Sequence, residues 1–225
     1  MLRRLFSTVL LTSFVAAAAQ AAARVPQVPV SGAALSTFFA SQGQTIDVNN
    51  QQLDLQTLNV PAGTSFEVRV FGPEVGSATF GAYNTAPASP PLYQIVPGAA
   101  STGWFSTAQF RAGPTRLVVN LFDNNAAFIG STSYLAGPPD ASAFGFYDQS
   151  VAATFYTQDA RNPGGTARVL AYNATGASTG WTWFACETGA GPGGDFADYI
   201  ALVNLSLAPV PVSRTDWGTL KARFR

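Results

Sequence analysis

The chain has no histidine, one lysine (Lys221) and one cysteine (Cys186) in 225 residues. Without histidine, Ser-His-Asp and Cys-His catalysis and His-ligated zinc, iron or copper are excluded. The lone lysine lies near the C-terminus, a poor place for a buried Schiff-base or general-base amine. A single cysteine rules out an intrachain disulfide. Charge is also scarce, at 11% of residues. Between Arg24 and Ser213 there are six arginines and eleven acidic residues, so no broad basic surface is available for wrapping nucleic acid. Four basic residues against Asp216 make the last segment basic.

What is present begins with a segment that reads as an exported protein's leader. Arg3 and Arg4 precede an apolar run to Ala19, and small residues at Ala19-Gln20-Ala21 or Ala21-Ala22-Ala23 suit a signal peptidase. Residues 1–21 are therefore expected to be a signal peptide, cleaved near Ala21 or Ala23, giving a secreted or cell-surface product with no transmembrane segment. Residues 22–207 are expected to form one domain. Ala208-Pro209-Val210-Pro211-Val212 reads as an extended linker, and Trp217, Leu220 and Phe224 mark one face of a short amphipathic C-terminal helix.

Within the domain, strand patterns dominate. Thr64 to Phe71 alternates, with Phe66, Val68 and Val70 on one face and Glu67 and Arg69 on the other. Further strands are expected at Ile46–Val48, Leu53–Val60, Ala78–Tyr83, Leu92–Ile95, Gly103–Phe110, Leu117–Phe122, Phe128–Tyr134, Phe144–Tyr147, Thr154–Tyr156, Arg168–Tyr172, Trp181–Cys186 and Tyr199–Leu207. Ala33 to Ala40 is a candidate two-turn helix. Short, evenly spaced strands with Gly, Pro and Asn turns predict an all-β fold, a single antiparallel β-sandwich of jelly-roll type. An internal echo, Phe80-Gly81-Ala82-Tyr83-Asn84 against Phe144-Gly145-Phe146-Tyr147-Asp148, suggests that the two segments have matching places in a two-sheet arrangement.

Three motifs occur in order near the C-terminal end: Phe144-Gly145-Phe146-Tyr147, then Tyr156-Thr157-Gln158-Asp159-Ala160-Arg161-Asn162, then an acidic corner of Glu187, Asp195-Phe196 and Asp198. Together they resemble a family of secreted bacterial β-domains of unknown function common in exported proteins with PEP-CTERM sorting tails. That family's last box has the form Glu-Asp…Gly-Gly-Asp-x-Asp-Phe-Asn-Asp. Here Thr188 replaces an Asp, Ala197 replaces the Asn, and Gly193 stands where another Asp is usual. The resemblance implies a cation site, since clustered carboxylates and loop carbonyls suit Ca²⁺. Glu187, Asp195 and Asp198, with Asp159 as a supplement, form a weakened, vestigial version of it. The alternative is that Asp195 and Asp198 bond backbone amides and fix the turn before the last strand. A glycosidase pairing of Glu187 with an Asp is the enzymatic variant of the same residues, with no substrate cleft evident to support it.

In Trp181 to Glu187, alternation puts Trp181, Trp183, Ala185 and Glu187 on one face and Thr182, Phe184 and Cys186 on the other. Trp181 and Trp183 are candidate sugar-stacking residues, with Trp104 and Tyr199 as further members. Cys186 is expected to behave as a small buried apolar residue. The sequence thus points to a non-catalytic structural or adhesive protein of the cell surface or extracellular matrix, with polysaccharide or protein partners. The alternative is a carbohydrate-binding module using Trp181 and Trp183.

Overall fold

A computed structural model describes residues 24, 28–73, 75–113, 115–137, 139–189 and 194–205. The expected leader, the Pro-rich linker and the C-terminal helix lie outside the described residues. The elements, in chain order, are α1 (Ala34–Ser41), β1 (Ser65–Phe71), β2 (Thr79–Asn84), β3 (Leu92–Val96), β4 (Phe105–Arg111), β5 (Arg116–Phe122) and β6 (Phe128–Tyr134). They are followed by β7 (Phe144–Gln149), β8 (Thr154–Tyr156), β9 (Val169–Asn173), β10 (Thr182–Cys186) and β11 (Tyr199–Asn204).

The strands form an antiparallel sandwich of unequal sheets: a larger sheet, β6-β5-β4-β1-β11-β10-β9, and a smaller one, β3-β2-β7-β8. Alternation supplies the core between them. Phe66, Val68 and Val70 of β1, Ala108 and Phe110 of β4, Phe184 and Cys186 of β10, and Ala201 and Val203 of β11 face Phe80 of β2 and Phe144 and Phe146 of β7. Phe66 stands 6.2 Å from Phe144 and 6.0 Å from Phe146, ring centre to ring centre, and Phe146 lies 5.0 Å from Phe184. Such aromatic contacts add to the burial of apolar area, at roughly 25 cal/mol per Å², that holds the two layers together.

A second core lies on the opposite side of the larger sheet. There α1 packs Leu35 and Phe39 over Leu170 and Tyr172 of β9, Trp183 and Ala185 of β10 and Ile200 and Leu202 of β11. The helix has no side-chain cap, so packing rather than intrinsic propensity holds it. This cover reaches the end of β1, where Phe38 of α1 meets Phe71 at 6.0 Å. The outward face of β4, β5 and β6 has no described helix or strand packed on it.

The repeated Phe-Gly-x-Tyr segments are neighbours in one sheet rather than counterparts in two. β2 and β7 pair antiparallel, Gly81 opposite Tyr147 and Tyr83 opposite Gly145. A methyl group on Gly81 would meet Tyr147 Cε1 at 2.5 Å, and one on Gly145 would meet Tyr83 Cε1 at 2.7 Å. Each strand's tyrosine ring therefore lies across the other strand's glycine, and the motif encodes that reciprocal contact.

Two expected strands are absent. Leu53–Val60 makes only single bridges, Leu53 with Ala171 of the larger sheet and Leu58 with Phe144 of the smaller one. Because it crosses between layers, it cannot be a strand of either. At Ile46–Val48, Asp47 accepts amide bonds from Asn49 and Asn50 and turns the chain instead.

Candidate functional site

The acidic corner follows β10, and its carboxylates mostly serve the backbone. Glu187 Oε1 accepts from Gly189 N at 3.0 Å and Oε2 from Phe196 N at 3.3 Å. Phe196 has a left-handed backbone (φ 54°), unusual for a bulky side chain, and its ring is buried in the second core. The Glu187 bond thus helps hold a strained residue in place. Asp198 Oδ2 accepts from both Thr188 N and Thr188 Oγ1 at 2.9 Å, while Asp195 Oδ1 accepts from Ala197 N at 3.0 Å.

Burial first, with the nearby Asp198 charge second, raises the Glu187 carboxyl above its usual range. Asp195 serves its own turn. Asp159 pairs with Arg24 at 3.2 Å. Among the described residues no three of the acidic or cysteine side chains converge on one point. Glu187 is only 7% exposed and lines neither of the two depressions described below.

The second motif has a structural use as well. The Asn162 amide accepts from Tyr156 N at 2.8 Å and donates to Tyr156 O at 2.9 Å, which closes the outer edge of β8. Arg161 donates to the carbonyls of Thr85, Pro87 and Ala88 and lies 5.4 Å from the Tyr83 ring centre. The shallow depression around Tyr156, Gln158 and Arg161 is thus built around a guanidinium already occupied with carbonyl oxygens.

The two candidate tryptophans separate. Trp183 is 1% exposed, lies 5.7 Å from both Phe38 and Phe39, and donates through Nε1 to Gln44 Oε1 at 3.2 Å. The face assigned to it by alternation is right, but α1 covers that face, so Trp183 cannot stack on a ligand. Trp104 packs against the inter-sheet core and Tyr199 is fully buried. Trp181, like Trp104, remains part-open, and of these two it borders a depression. With Gln42, Arg69, Phe71 and Ser178 it lines a depression of about 410 Å³ at the end of α1.

From this depression a row of side chains crosses the uncovered face. Strand register places Leu202 opposite Arg69, Arg69 opposite Phe105, Phe105 opposite Phe122 and Phe122 opposite Phe128. The Arg69 guanidinium carbon lies 5.8 Å from the Trp181 ring centre and 5.3 Å from that of Phe105. Phe105 and Phe122 stack at 5.0 Å, and Phe122 meets Phe128 edge-on at 5.7 Å. Phe128 is 61% exposed. Beside the row stand Thr107, Asn120 and Ser131, then Gln109, Val118 and Ser133, in matched register. Sequence reasoning missed this face because β4 has a phenylalanine on each side, Phe105 outward and Phe110 inward, so its pattern does not say which side is the core.

No protein-family profile and no curated protein matches the chain. Among solved structures, the high-affinity mannose-binding lectin of Ralstonia solanacearum is similar at 14% identity, over 68% of this chain and 98% of the lectin, with a TM-score of 0.32. At that level the likeness adds nothing to the architecture that the strand pairing establishes.

Proposed function

We propose that this protein is a non-catalytic carbohydrate-binding module, exported to the cell surface or matrix, whose ligand lies on the uncovered outer face of the larger sheet and enters the Trp181 depression. The observation that supports this is a part-exposed aromatic and guanidinium row, Trp181–Arg69–Phe105–Phe122–Phe128, flanked on the same face by the hydroxyl and amide side chains of Thr107, Gln109, Asn120, Ser131 and Ser133. Large aromatic groups normally go to the interior, and a connected exposed set marks a binding surface. Sugar rings present C–H groups on their faces and hydroxyls at their rims. The C–H faces suit aromatic π-surfaces, and the hydroxyls suit Gln42, Ser178, Thr107 and Asn120. Such binding would give the adhesive or matrix role expected of an exported β-sandwich.

The acidic corner is read as a lock on the turn into β11, not as a catalytic pair, because its oxygens face backbone amides and a buried strained residue. A glycan array probed with the full-length protein and with Trp181→Ala tests the proposal. The expected result is binding to at least one glycan class, weakened tenfold or more in Trp181→Ala. An array with no bound glycan, or binding indifferent to Trp181, overturns it.

A further inference from the structure

The described arginines divide sharply by place. Arg24 is paired with Asp159, Arg161 is held by carbonyls, and Arg168 is buried and donates to Gly189 O. The other three, Arg69, Arg111 and Arg116, all project from β1, β4 and β5 on the uncovered face, by the same alternation that puts Phe105 and Phe122 there. Arg111 and Arg116 stand directly opposite each other across the β4–β5 pair. Like charges in that position destabilise a sheet. Neither makes an ion pair among the described residues; Arg111 Nε donates to Gln109 Oε1 at 2.7 Å, and Arg116 Nε has no acceptor. The acids nearest this face in the chain are already used: Glu67 pairs with Arg69 at 2.6 Å, and Asp123 accepts from Asn125 N and Ala127 N in its own turn.

A chain with more acidic than basic residues over 24–213 thus sets Arg111 and Arg116, which have no ion-pair partner among the described residues, side by side on the face that bears the aromatic row. We infer that this face selects an acidic polysaccharide, a polymer of uronic-acid type, with Arg111 and Arg116 taking its carboxylates while the aromatic row and Trp181 take sugar faces. This rests on the carbohydrate reading above and names the ligand class within it. Guanidinium forks match carboxylates geometrically, and two of them side by side leave an anion as their natural counter-charge. From Arg111 to Phe105 along β4 is about 20 Å at the usual strand rise, so only an extended chain of several sugar units could touch both ends. The uncharged band between them, Thr107, Gln109, Asn120, Ser131 and Ser133, supplies hydroxyl partners. Its lack of further positive charge argues against a nucleic acid, whose phosphates repeat at every residue.

The test compares polygalacturonate with its methyl ester, which keeps the sugar backbone and removes the charge, using full-length protein at low and high salt. The expected result is at least tenfold tighter binding to polygalacturonate at low salt, with the preference shrinking at high salt. Arg111→Gln/Arg116→Gln is expected to lose the preference, to retain whatever affinity wild type has for the methyl ester, and to melt no lower than wild type, since a like-charge contact is removed. Equal binding of the two polymers, or a preference that persists in the double variant, overturns the inference. If the array shows Trp181-dependent binding and the charge preference is absent, only the ligand class fails. If no glycan binds in either experiment, the carbohydrate reading fails and takes this inference with it. Single-stranded DNA binding more tightly than polygalacturonate, with the same arginine dependence, overturns it in favour of a nucleic acid.

Discussion

Replacing Trp183 by alanine separates a buried tryptophan from a ligand-binding one. Its ring is 1% exposed, packed between Phe38, Phe39 and Phe71, and its Nε1 bond to Gln44 helps anchor a side chain whose Oε1 also accepts from Thr175 N. Truncating a buried tryptophan to alanine costs about 3–5 kcal/mol. In a domain of this size each kcal/mol moves the melting temperature by about 2–4 °C, so Trp183→Ala should melt roughly 6–20 °C below wild type. Trp181 is part-exposed and bounds a depression, so Trp181→Ala should cost less than about 1 kcal/mol while removing binding. Calorimetric or circular-dichroism melts of the two variants, run beside the array, give the comparison. A Trp183→Ala protein that melts within about 2 °C of wild type yet binds no glycan would refute the placement of α1 over that face.

Glu187→Gln tests the turn lock through pH. The raised Glu187 carboxyl means the folded state holds that proton more tightly than the unfolded chain, so this group's contribution to stability falls as pH rises from the ordinary carboxylate range through the raised value. Glutamine carries no charge but offers one acceptor where the carboxylate offers two, so the variant should be destabilised, by less at pH 8 than at pH 4; a variant weakened more at pH 8 than at pH 4 contradicts the reading. The same melts with Ca²⁺ and with chelator should coincide, because the Glu187 and Asp198 oxygens are committed to amides and a hydroxyl; a rise of several degrees with Ca²⁺ would restore a cation role to Glu187, Asp195 and Asp198. Gly145→Ala places a methyl 2.7 Å from the Tyr83 ring and should destabilise by about 1–3 kcal/mol. An unchanged melt there would dismiss the reciprocal glycine–tyrosine contact.

Much of the fold was legible because period-2 patterns are local. Phe128–Tyr134 and Thr154–Tyr156 appear with the expected bounds, and the inward set Phe66, Val68 and Val70 is fully buried. The expected helix lies one residue further along, at Ala34–Ser41. What failed depended on partners far away in the chain. Leu53–Val60 has strand-like residues but bridges two layers. Trp183 shares a face with Trp181, yet α1, some 140 residues earlier, covers one and leaves the other part-open. The aromatic and arginine face was invisible for the same reason. Phe105, Phe122, Arg111 and Arg116 come together only through the β1-β4-β5-β6 register, and which side of those strands meets solvent is decided by where the smaller sheet docks.

The most direct measurement of the central claim is amide chemical-shift mapping of the isotopically labelled protein during titration with a glycan selected on the array. The account predicts shifts confined to Arg69, Phe105 to Arg111, Arg116 to Phe122, Phe128 to Ser133 and the surroundings of Trp181, with Glu187 to Asp198 unmoved. Shifts centred on the acidic corner, with the outer face of β1, β4 and β5 silent, would contradict it.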